Sequence, residues 1–255
     1  MNSVDALRHL KRQENGLLVI HYSSESLGDG NEGLSPRITS IAVLHFDSWT
    51  THSFSIHLIA ERMRVPKDQV AARYDEIEGL MLGEFYSFVQ SRQDADWLHW
   101  NMSNANYGFE AIAHRYMVLT AKTPAQIPDT KRFNLSYLIE GIYGHDYVDH
   151  PKMLKLMELN GGRDRDFLTD AEESEAFGKQ EYVKLHKSTM TKVYWFADTY
   201  RKLQARKLKT ARTNIWNRIN AWLEKPLAKL LGFFSVLYAV FQFVQAALAG
   251  FPLPK

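Results

Sequence analysis

Runs of apolar residues separated by polar turns divide the first part of the chain into predicted strands. Gly16–Tyr22 (GLLVIHY) and Arg37–Phe46 (RITSIAVLHF) are almost continuously apolar, which is typical of strands buried on both faces. His52–Leu58 (HSFSIHL) alternates polar and apolar side chains, so we expect a third strand, antiparallel to the second. Asp96–Asn101 (DWLHWN) predicts a fourth strand, and the glycine- and serine-rich stretch 23–36 predicts a loop.

Apolar positions spaced three and four residues apart predict helices around and after these strands. Pro66 suits the first turn of a long helix over Lys67–Ser91, because an N–H has no partner inside the helix at that position. Asn106 is the predicted N-cap of a helix that ends at Val118. Three strands, a helix, a strand and then mostly helices predict a mixed α/β domain. The remaining predicted helices cover Val4–Gln13, Leu135–Tyr143, Lys152–Leu159, Asp170–Phe177 and Glu181–Leu203.

The chain ends in a long hydrophobic segment. Lys229 and Lys255 enclose 25 residues without a charge. A helix needs about 20 apolar residues to cross the hydrocarbon core of a bilayer, so Leu230–Gly250 predicts a transmembrane helix. The alternative is a buried core helix, but core helices of this length usually keep a polar face.

The charges on the two sides of this segment predict its orientation. From Arg201 to Lys229, both included, there are nine basic residues and one acid, Glu224. Positive charge favours the cytoplasmic side, so we expect the preceding domain in the cytoplasm. Asn214–Leu223 predicts an amphipathic helix with two tryptophans that lies at the membrane surface, or alternatively a helix docked on the domain. The sequence thus predicts a single-pass protein with a cytoplasmic domain, a basic juxtamembrane segment, a membrane span and a tail at 1–200, 201–229, 230–250 and 251–255.

Small and polar residues inside the predicted span fall in one register, at steps of three and four residues. Small side chains let helix backbones approach each other in lipid, and a glutamine can donate a hydrogen bond across the contact. We therefore expect a homo-oligomer formed through the span. The alternative is that small residues, which are common in such helices, fall at this spacing by chance. The register consists of Gly232, Ser235, Ala239, Gln242, Ala246 and Ala249.

Composition excludes several classes of function. The chain has no cysteine, which rules out disulfides, thiolate nucleophiles and cysteine-ligated metals. The net charge of +2 is nearly balanced, so the protein as a whole is not a general binder of polyanions. The sequence contains no phosphate loop, dinucleotide fingerprint or nucleophile elbow.

Three segments of the predicted domain have sequences that are similar to known motifs. VIHYSSESL ends the first predicted strand, LHWNMSNANYGFEAI follows the fourth, and Leu185-His186 lies in the last helix. Their order resembles the RNase H-like fold of the DEDD 3′–5′ exonucleases, in the branch with a catalytic histidine, over roughly residues 16 to 200. In that family the three places hold Asp-x-Glu, His-Asn-x-x-Phe-Asp and His-x4-Asp. The resemblance implies a mixed sheet with flanking helices and a metal-dependent 3′–5′ exonuclease-like phosphodiesterase that holds Mg²⁺ or Mn²⁺ with carboxylates.

The first and last of these segments depart from the family's acids. On the resemblance, His21 and Ser23 stand at the acid positions of the first motif, with Glu25 two residues later, and His186 stands at the catalytic histidine. A threonine stands at the last acid position. We therefore expect a divergent site with weak or absent exonuclease activity. If a Mg²⁺ or Mn²⁺ ion binds, Glu25 and Glu110 are its predicted ligands; otherwise no cofactor is expected.

The middle segment is rich in asparagine. On the resemblance, Asn106 or Glu110 replaces the family's aspartate. Asn101, Asn104 and Tyr107 are predicted to contact nucleic acid, because an asparagine reads a base edge and a helix N-terminus binds phosphate. Glu110 and His114 are four residues apart on one predicted helix face, and the alternative to a metal site is that they only form a surface hydrogen bond.

Two classes of function follow from these features. The first is a membrane-anchored protein whose exonuclease-like domain acts on or binds nucleic acid or nucleotides, with its catalysis degraded. The second is a membrane effector or scaffold, in which the domain senses a ligand or partner and the tail helices associate in the bilayer. Metal-dependent release of nucleotides would favour the first, and dye leakage from liposomes without nuclease activity would favour the second.

Overall fold

A mixed five-stranded sheet forms the centre of the first part of the chain. The computed structural model describes residues 1–25, 36–103, 107–213, 236 and 238–245, and the chain divides into two compact units, Met1–Leu208 and Lys209–Lys255. The strand order is β3-β2-β1-β4-β5; β1, β2 and β3 pair antiparallel, whereas β1, β4 and β5 are parallel. The strands are β1 (Leu17–Ser24), β2 (Ile38–His45), β3 (Thr51–Ser55), β4 (Asp96–His99) and β5 (Arg132–Asn134).

Helices cover both faces of this sheet. Side chains alternate along β1, so Leu18, Ile20 and Tyr22 join the core with α3 and α4, while Leu17 and Val19 join the core with α1, α5 and α8. The strand is buried on both faces, which explains why its residues are almost all apolar. The helices are α1 (Ser3–Arg12), α2 (Ile56–Arg62), α3 (Tyr74–Gln90), α4 (Phe109–Thr120), α5 (Leu135–Tyr143), α6 (Lys152–Leu159), α7 (Asp170–Gly178) and α8 (Tyr182–Gln204).

Several predicted elements have other limits in the structure. The prediction of a strand over His52–Leu58 is wrong beyond Ser55, because Ile56, Ile59 and Ala60 turn their side chains into the core as the buried face of α2. The residues after Pro66 form a short 3₁₀ turn, and the long helix begins only at Tyr74. The Tyr74 hydroxyl donates a hydrogen bond to the carbonyl of Ile38, so a tertiary contact joins the start of α3 to the sheet.

The N-terminus of α4 is set by a glycine. Gly108, with φ of +142°, takes the N-cap position that was predicted for Asn106, which lies outside the described residues. A Cβ on Gly108 would lie 2.1 Å from the carbonyl oxygen of Met102, so only glycine permits this close approach. The Gly108 N–H donates to the Tyr22 hydroxyl at 2.9 Å, which links the start of α4 to β1.

The predicted membrane span lies mostly outside the described residues. Among the residues that the structure describes, no helix is long and apolar enough to cross a membrane. Residues 238–245 are helical and exposed, and Gln242 donates its side-chain amide to the Tyr238 hydroxyl at 3.0 Å. This bond gives the amide a partner inside its own helix. Ala239 and Gln242 belong to the described part of the predicted association register; Gly232, Ser235, Ala246 and Ala249 do not.

Candidate functional site

A cleft with a volume of about 770 Å³ opens at the carboxyl ends of the parallel strands β1 and β4. Its lining includes Glu25 after β1 and Asn101 after β4, together with the N-terminal turns of α6 and α7 and Lys192 of α8. Ligands of α/β proteins bind at the carboxyl ends of parallel strands, and clefts of about 300–1,000 Å³ suit small molecules. This cleft is therefore the candidate site.

A carboxylate with several donors lies in this cleft. One side-chain oxygen of Glu173, Oε1, accepts hydrogen bonds from the ammonium of Lys192 at 2.8 Å, from Ser188 Oγ at 2.8 Å and from Ser23 Oγ at 3.1 Å. Only 4% of the Lys192 side chain and 13% of the Glu173 side chain are exposed. The Lys192 ammonium also lies 5.2 Å from the centre of the Phe167 ring. The positive charge thus balances the negative charge within the cleft.

Buried hydroxyl groups extend this network into the sheet. Thr189 Oγ1 donates to Ser23 Oγ at 2.9 Å and lies 2.6 Å from Ser40 Oγ. Ser23, Ser40 and Thr189 are all fully buried. Because each hydroxyl can donate one proton and accept another, the three can form a directed chain that ends on Glu173. The Ser23 hydroxyl at the end of β1 therefore has its hydrogen-bond partners inside the protein.

His21, two residues before Ser23 on β1, has no such partners in the part of the chain that the structure describes. Its ring is 3% exposed and lies edge-on to Phe196, with 5.4 Å between ring centres. Neither Nδ1 nor Nε2 has a hydrogen-bond partner among the described residues. Burial, reinforced by the nearby charge of Lys192, holds the pKa of His21 well below its usual value, so the ring is neutral near pH 7. A buried donor and acceptor without partners are unfavourable, which is one mark of a functional site.

Two residues predicted to contact nucleic acid line the same cleft. Asn101 is exposed and has a φ of +52°, and its side-chain oxygen accepts a 3.0 Å hydrogen bond from Asn134. Tyr107 stacks on Tyr22 with 4.7 Å between ring centres. Tyr107 is partly exposed and lines the cleft, and an aromatic ring is a surface on which a planar group can stack. Asn104, also predicted to contact nucleic acid, lies outside the described residues.

The structure does not bring the two predicted metal ligands together. Glu25 lines the cleft, whereas Glu110 is exposed on α4, is not among the residues that line the cleft, and forms an ion pair with Arg132. Within the described ranges, no group of three or more His, Asp or Glu side chains could hold a metal ion. Asn106, the other predicted replacement for the family's aspartate, is outside those ranges.

His186 also lies apart from the cleft lining. Its ring is half-buried and lies 5.1 Å from the ring of His57, while Nδ1 has no hydrogen-bond partner among the described residues. Burial, and secondly the neighbouring His57, lowers the pKa of His186 to about 4. The histidine therefore favours a neutral ring in the folded protein.

We expect the His186→Leu variant to lose less free energy of unfolding than the unmodified protein as the pH falls. A folded-state pKa below the unfolded value means that the neutral ring contributes stability above about pH 6.5, and this is lost as the pH falls toward 4. The shift corresponds to at most roughly 3 kcal/mol over that window. Urea unfolding at several pH values measures it. The exposed His114→Leu serves as control, and an unchanged acid slope in His186→Leu would contradict the expectation.

Lys192 and Glu173 did not emerge as site residues from the sequence. Helical spacing places Ser188, Thr189 and Lys192 on the same face of α8 as the buried Leu185 and Phe196. A lysine on the apolar face of an amphipathic helix is a signal that could have indicated a buried charge. The partner of that charge could not be inferred, because Glu173 lies in an ordinary acidic first turn of α7.

Comparisons of the chain with models of known families, with curated proteins and with solved structures find no significant match. The geometry of the cleft and the arrangement of the sheet are therefore the basis on which a function can be assigned.

Proposed function

We propose that the first unit is an RNase H-like domain of exonuclease descent that binds a nucleotide, or the end of a nucleic-acid strand, without two-metal catalysis. A mixed sheet with flanking helices, which the resemblance implies, supports it: β1, β2 and β3 pair antiparallel, and β4 and β5 run parallel to β1. The cleft lies at the end of β1, where the resemblance implies the family's first acidic motif. The observation that carries the proposal is the Lys192–Glu173 pair beside Ser23.

The residues of this cleft do not fit a pair of metal ions. Two-metal sites rely on several carboxylates that share two divalent cations. Here the Glu173 oxygen is occupied by an ammonium and two hydroxyl groups, and Ser23 stands at a motif position that holds an acid in the family. The site therefore favours binding over metal-dependent hydrolysis.

Aromatic and polar groups give the cleft the means to hold a nucleotide. The ring of Tyr107, supported from behind by Tyr22, offers a face for a base. Stacking of a base on an aromatic side chain contributes about 1–3 kcal/mol and tolerates any sequence. Asn101 is exposed beside it, and its side-chain N–H₂ group can donate to a base or sugar oxygen.

Binding without turnover is the expected result for the full-length protein. Fluorescence anisotropy with labelled single-stranded DNA and RNA measures affinity, and release of nucleotides in Mg²⁺ or Mn²⁺ measures turnover. Tyr107→Leu should weaken binding by roughly tenfold, because leucine offers no flat ring. Tyr137→Leu, at an exposed tyrosine of α5, is the matched control and should bind normally.

Two outcomes would contradict the proposal. If neither single-stranded DNA, single-stranded RNA nor free nucleotides bind, then nucleotides and nucleic acids are excluded as ligands of the cleft. Robust metal-dependent turnover that is abolished by Glu25→Gln or Glu110→Gln would mean that the carboxylates have rearranged into a working catalytic site.

We also propose that the hydrophobic segment 230–250 anchors the domain at a membrane, with the domain in the cytoplasm. In the described part of the second unit, several large apolar side chains of the helical residues are exposed to solvent, which suits a lipid environment. The described residues carry nothing that favours the effector or scaffold function over simple anchoring. The exposed side chains are Val236, Tyr238, Val240, Phe241, Phe243 and Val244.

A further inference from the structure

The C-terminal end of α8 carries exposed positive charges. Arg201 lies in the last turn of the helix, and Arg206 and Lys207 lie in the turn that follows it. All three residues are exposed, and none of them forms an ion pair with a residue in the described ranges. This end of the first unit therefore presents positive charge that the described part of the chain does not neutralise.

Other elements of the first unit meet α8 at the same end. The Gln204 side chain donates to the Glu14 carboxylate, just after α1, at 2.9 Å. The Lys202 ammonium donates to the carbonyl of Asn160, at the end of α6, at 3.1 Å. Arg12, the last residue of α1, is exposed and also has no ion pair within the described ranges. We call Arg12, Arg201, Arg206 and Lys207 together the basic end.

The acids beside the basic end are mostly engaged with other groups. Asp198 is paired with Lys202 at 2.6 Å. Glu14 is partly buried and accepts the hydrogen bond from Gln204. Asp47, in the turn between β2 and β3, is exposed. Four exposed cations thus stand beside one exposed acid, so an anionic surface complements this end.

Aromatic side chains accompany these charges. The Arg201 guanidinium lies 4.0 Å from the centre of the Trp49 ring. Trp49 is partly exposed and stacks on Tyr194, with 5.9 Å between ring centres and 5° between ring planes. Tryptophan and tyrosine beside arginine and lysine suit the interface of a bilayer, because an apolar ring and a polar tip or charge meet there. The basic end therefore fits a lipid headgroup layer.

The basic end and the cleft lie at opposite ends of β1. The Phe46 N–H donates to the carbonyl of Leu17, the first residue of β1, at 3.0 Å, and the Arg201 guanidinium lies 5.2 Å from the Phe46 ring. The cleft opens where β1 ends. A strand of this length spans roughly 25 Å. A flat surface that contacts the basic end therefore leaves the cleft open on the far side.

The chain beyond the first unit leaves its orientation open. Residues 209–229 lead from Leu208 to the uncharged run that begins at Leu230. An extended chain of this length reaches up to roughly 70 Å, so the connection alone permits any face of the unit to meet the membrane. Such a connection also keeps the bilayer surface at a high effective concentration, whereas a nucleic acid has to be recruited from solution. Lipid is therefore the favoured partner of the basic end.

We propose that the basic end binds the anionic headgroups of the membrane in which segment 230–250 anchors the chain, so that the cleft faces away from the lipid. This inference rests on the proposed anchoring and adds the surface of the first unit that contacts the bilayer. Each lysine or arginine held near an anionic bilayer strengthens the attraction by roughly fivefold. Salt weakens it, because the headgroup potential falls off within a Debye length.

Labels at the two ends of the first unit test the orientation. The chain has no cysteine, so one introduced cysteine carries a dye at a known place. Ser48→Cys labels the turn beside Trp49, and Ser174→Cys labels the cleft rim on α7; both positions are exposed. The full-length protein is reconstituted in vesicles of phosphatidylcholine, with or without phosphatidylserine. Energy transfer to a rhodamine lipid reports how close each label lies to the bilayer.

We expect the two labels to differ only on the anionic vesicles. There the label at position 48 should show at least about twofold more transfer than the label at position 174, because about 25 Å of strand separates the two ends. On phosphatidylcholine alone the two labels should give similar transfer. Salt at about 0.5 M should remove the difference, since the Debye length falls below the 8 Å of physiological salt.

Charge reversal assigns the effect to the basic end. Arg206→Glu combined with Lys207→Glu should abolish the influence of phosphatidylserine, because two reversals weaken the attraction by on the order of a hundredfold. Lys184→Glu combined with Lys187→Glu makes the same change at exposed positions near the start of α8 and should leave the difference intact. Circular dichroism confirms that both double variants are folded.

The outcomes separate this inference from the anchoring. Equal transfer from both labels on anionic vesicles, with the protein anchored, overturns the lipid contact and leaves the anchor intact. If carbonate extracts the full-length protein but anionic vesicles still bind it, and reversal at Arg206 and Lys207 abolishes this, the basic end stands and the anchor fails. If that reversal leaves the transfer unchanged but weakens binding of single-stranded RNA, the basic end serves nucleic acid and the lipid contact is overturned.

Discussion

Replacing Lys192 with methionine is expected to lower the free energy of unfolding by about 3–5 kcal/mol, because it leaves a nearly buried carboxylate without its counter-charge. The Lys192 ammonium and the Glu173 carboxylate are 2.8 Å apart and have side chains only 4% and 13% exposed. Methionine replaces the lysine by an unbranched apolar side chain of similar length. The loss is therefore assigned to the charge rather than to a cavity. Urea unfolding followed by circular dichroism measures it.

Two controls make this prediction specific. The double variant Lys192→Met with Glu173→Gln should regain most of the lost stability, because it removes both charges of the pair. Lys184→Met breaks an exposed pair on the same helix, with Glu181, and should change stability by no more than about 0.5 kcal/mol. A similar effect of Lys192→Met and Lys184→Met would mean that the buried pair contributes nothing, and the account of the cleft would fail.

Deleting residues 226–255 is expected to move the protein from the membrane fraction to the soluble fraction. The deleted part contains the whole uncharged run between Lys229 and Lys255. Transfer of about 20 apolar residues from water to hydrocarbon is strongly favourable. We therefore expect nearly all of the full-length chain in the membrane fraction and nearly all of the truncated chain in the soluble fraction. Sodium carbonate extraction followed by ultracentrifugation compares the two chains. Full-length protein that remains in solution without detergent would contradict the prediction.

A charge placed inside the run provides a matched control for the deletion. Ala239→Lys keeps the length of the chain but adds a cost of about 2.5–3.5 kcal/mol for insertion at the centre of a span, so we expect partial release from the membrane. The same substitution at Ala205, which is exposed just after α8, should have no effect on partition. Protease digestion of sealed vesicles reports the side on which the domain lies. The basic residues before the run predict the cytoplasmic side.

The local amino-acid sequence determined the helices and strands whose formation depends on neighbouring residues alone. The sequence predicts α5 and α6 with the limits that the structure has, and it places β1 and β2 within two residues, because a buried strand and an amphipathic helix each impose a period on the chain. The antiparallel pairing of β2 with β3 is also confirmed. The mixed α/β class follows from the order of these elements.

Long-range contacts decided the elements with weak local signals. The three residues of β5 are too few to show a period, and they form a strand only because β4 offers a free edge beside them. The start of α3 depends on Tyr74, whose hydroxyl reaches the carbonyl of Ile38. The backbone at Gly108 depends on the approach of Met102, which no pattern in the sequence records.

For the candidate site too, the sequence predicted one part and the tertiary structure decided the other. The sequence by itself determined that His21, Ser23 and Glu25 end a buried strand and lead into a loop, which is a position where functional groups concentrate. Only the tertiary structure decided which partners they have. Ser23 meets Glu173 across 150 positions of sequence, and His21 meets none of the described polar groups. The physical reason is that periodicity specifies which face of an element a side chain occupies, whereas its partner depends on how separate elements pack together.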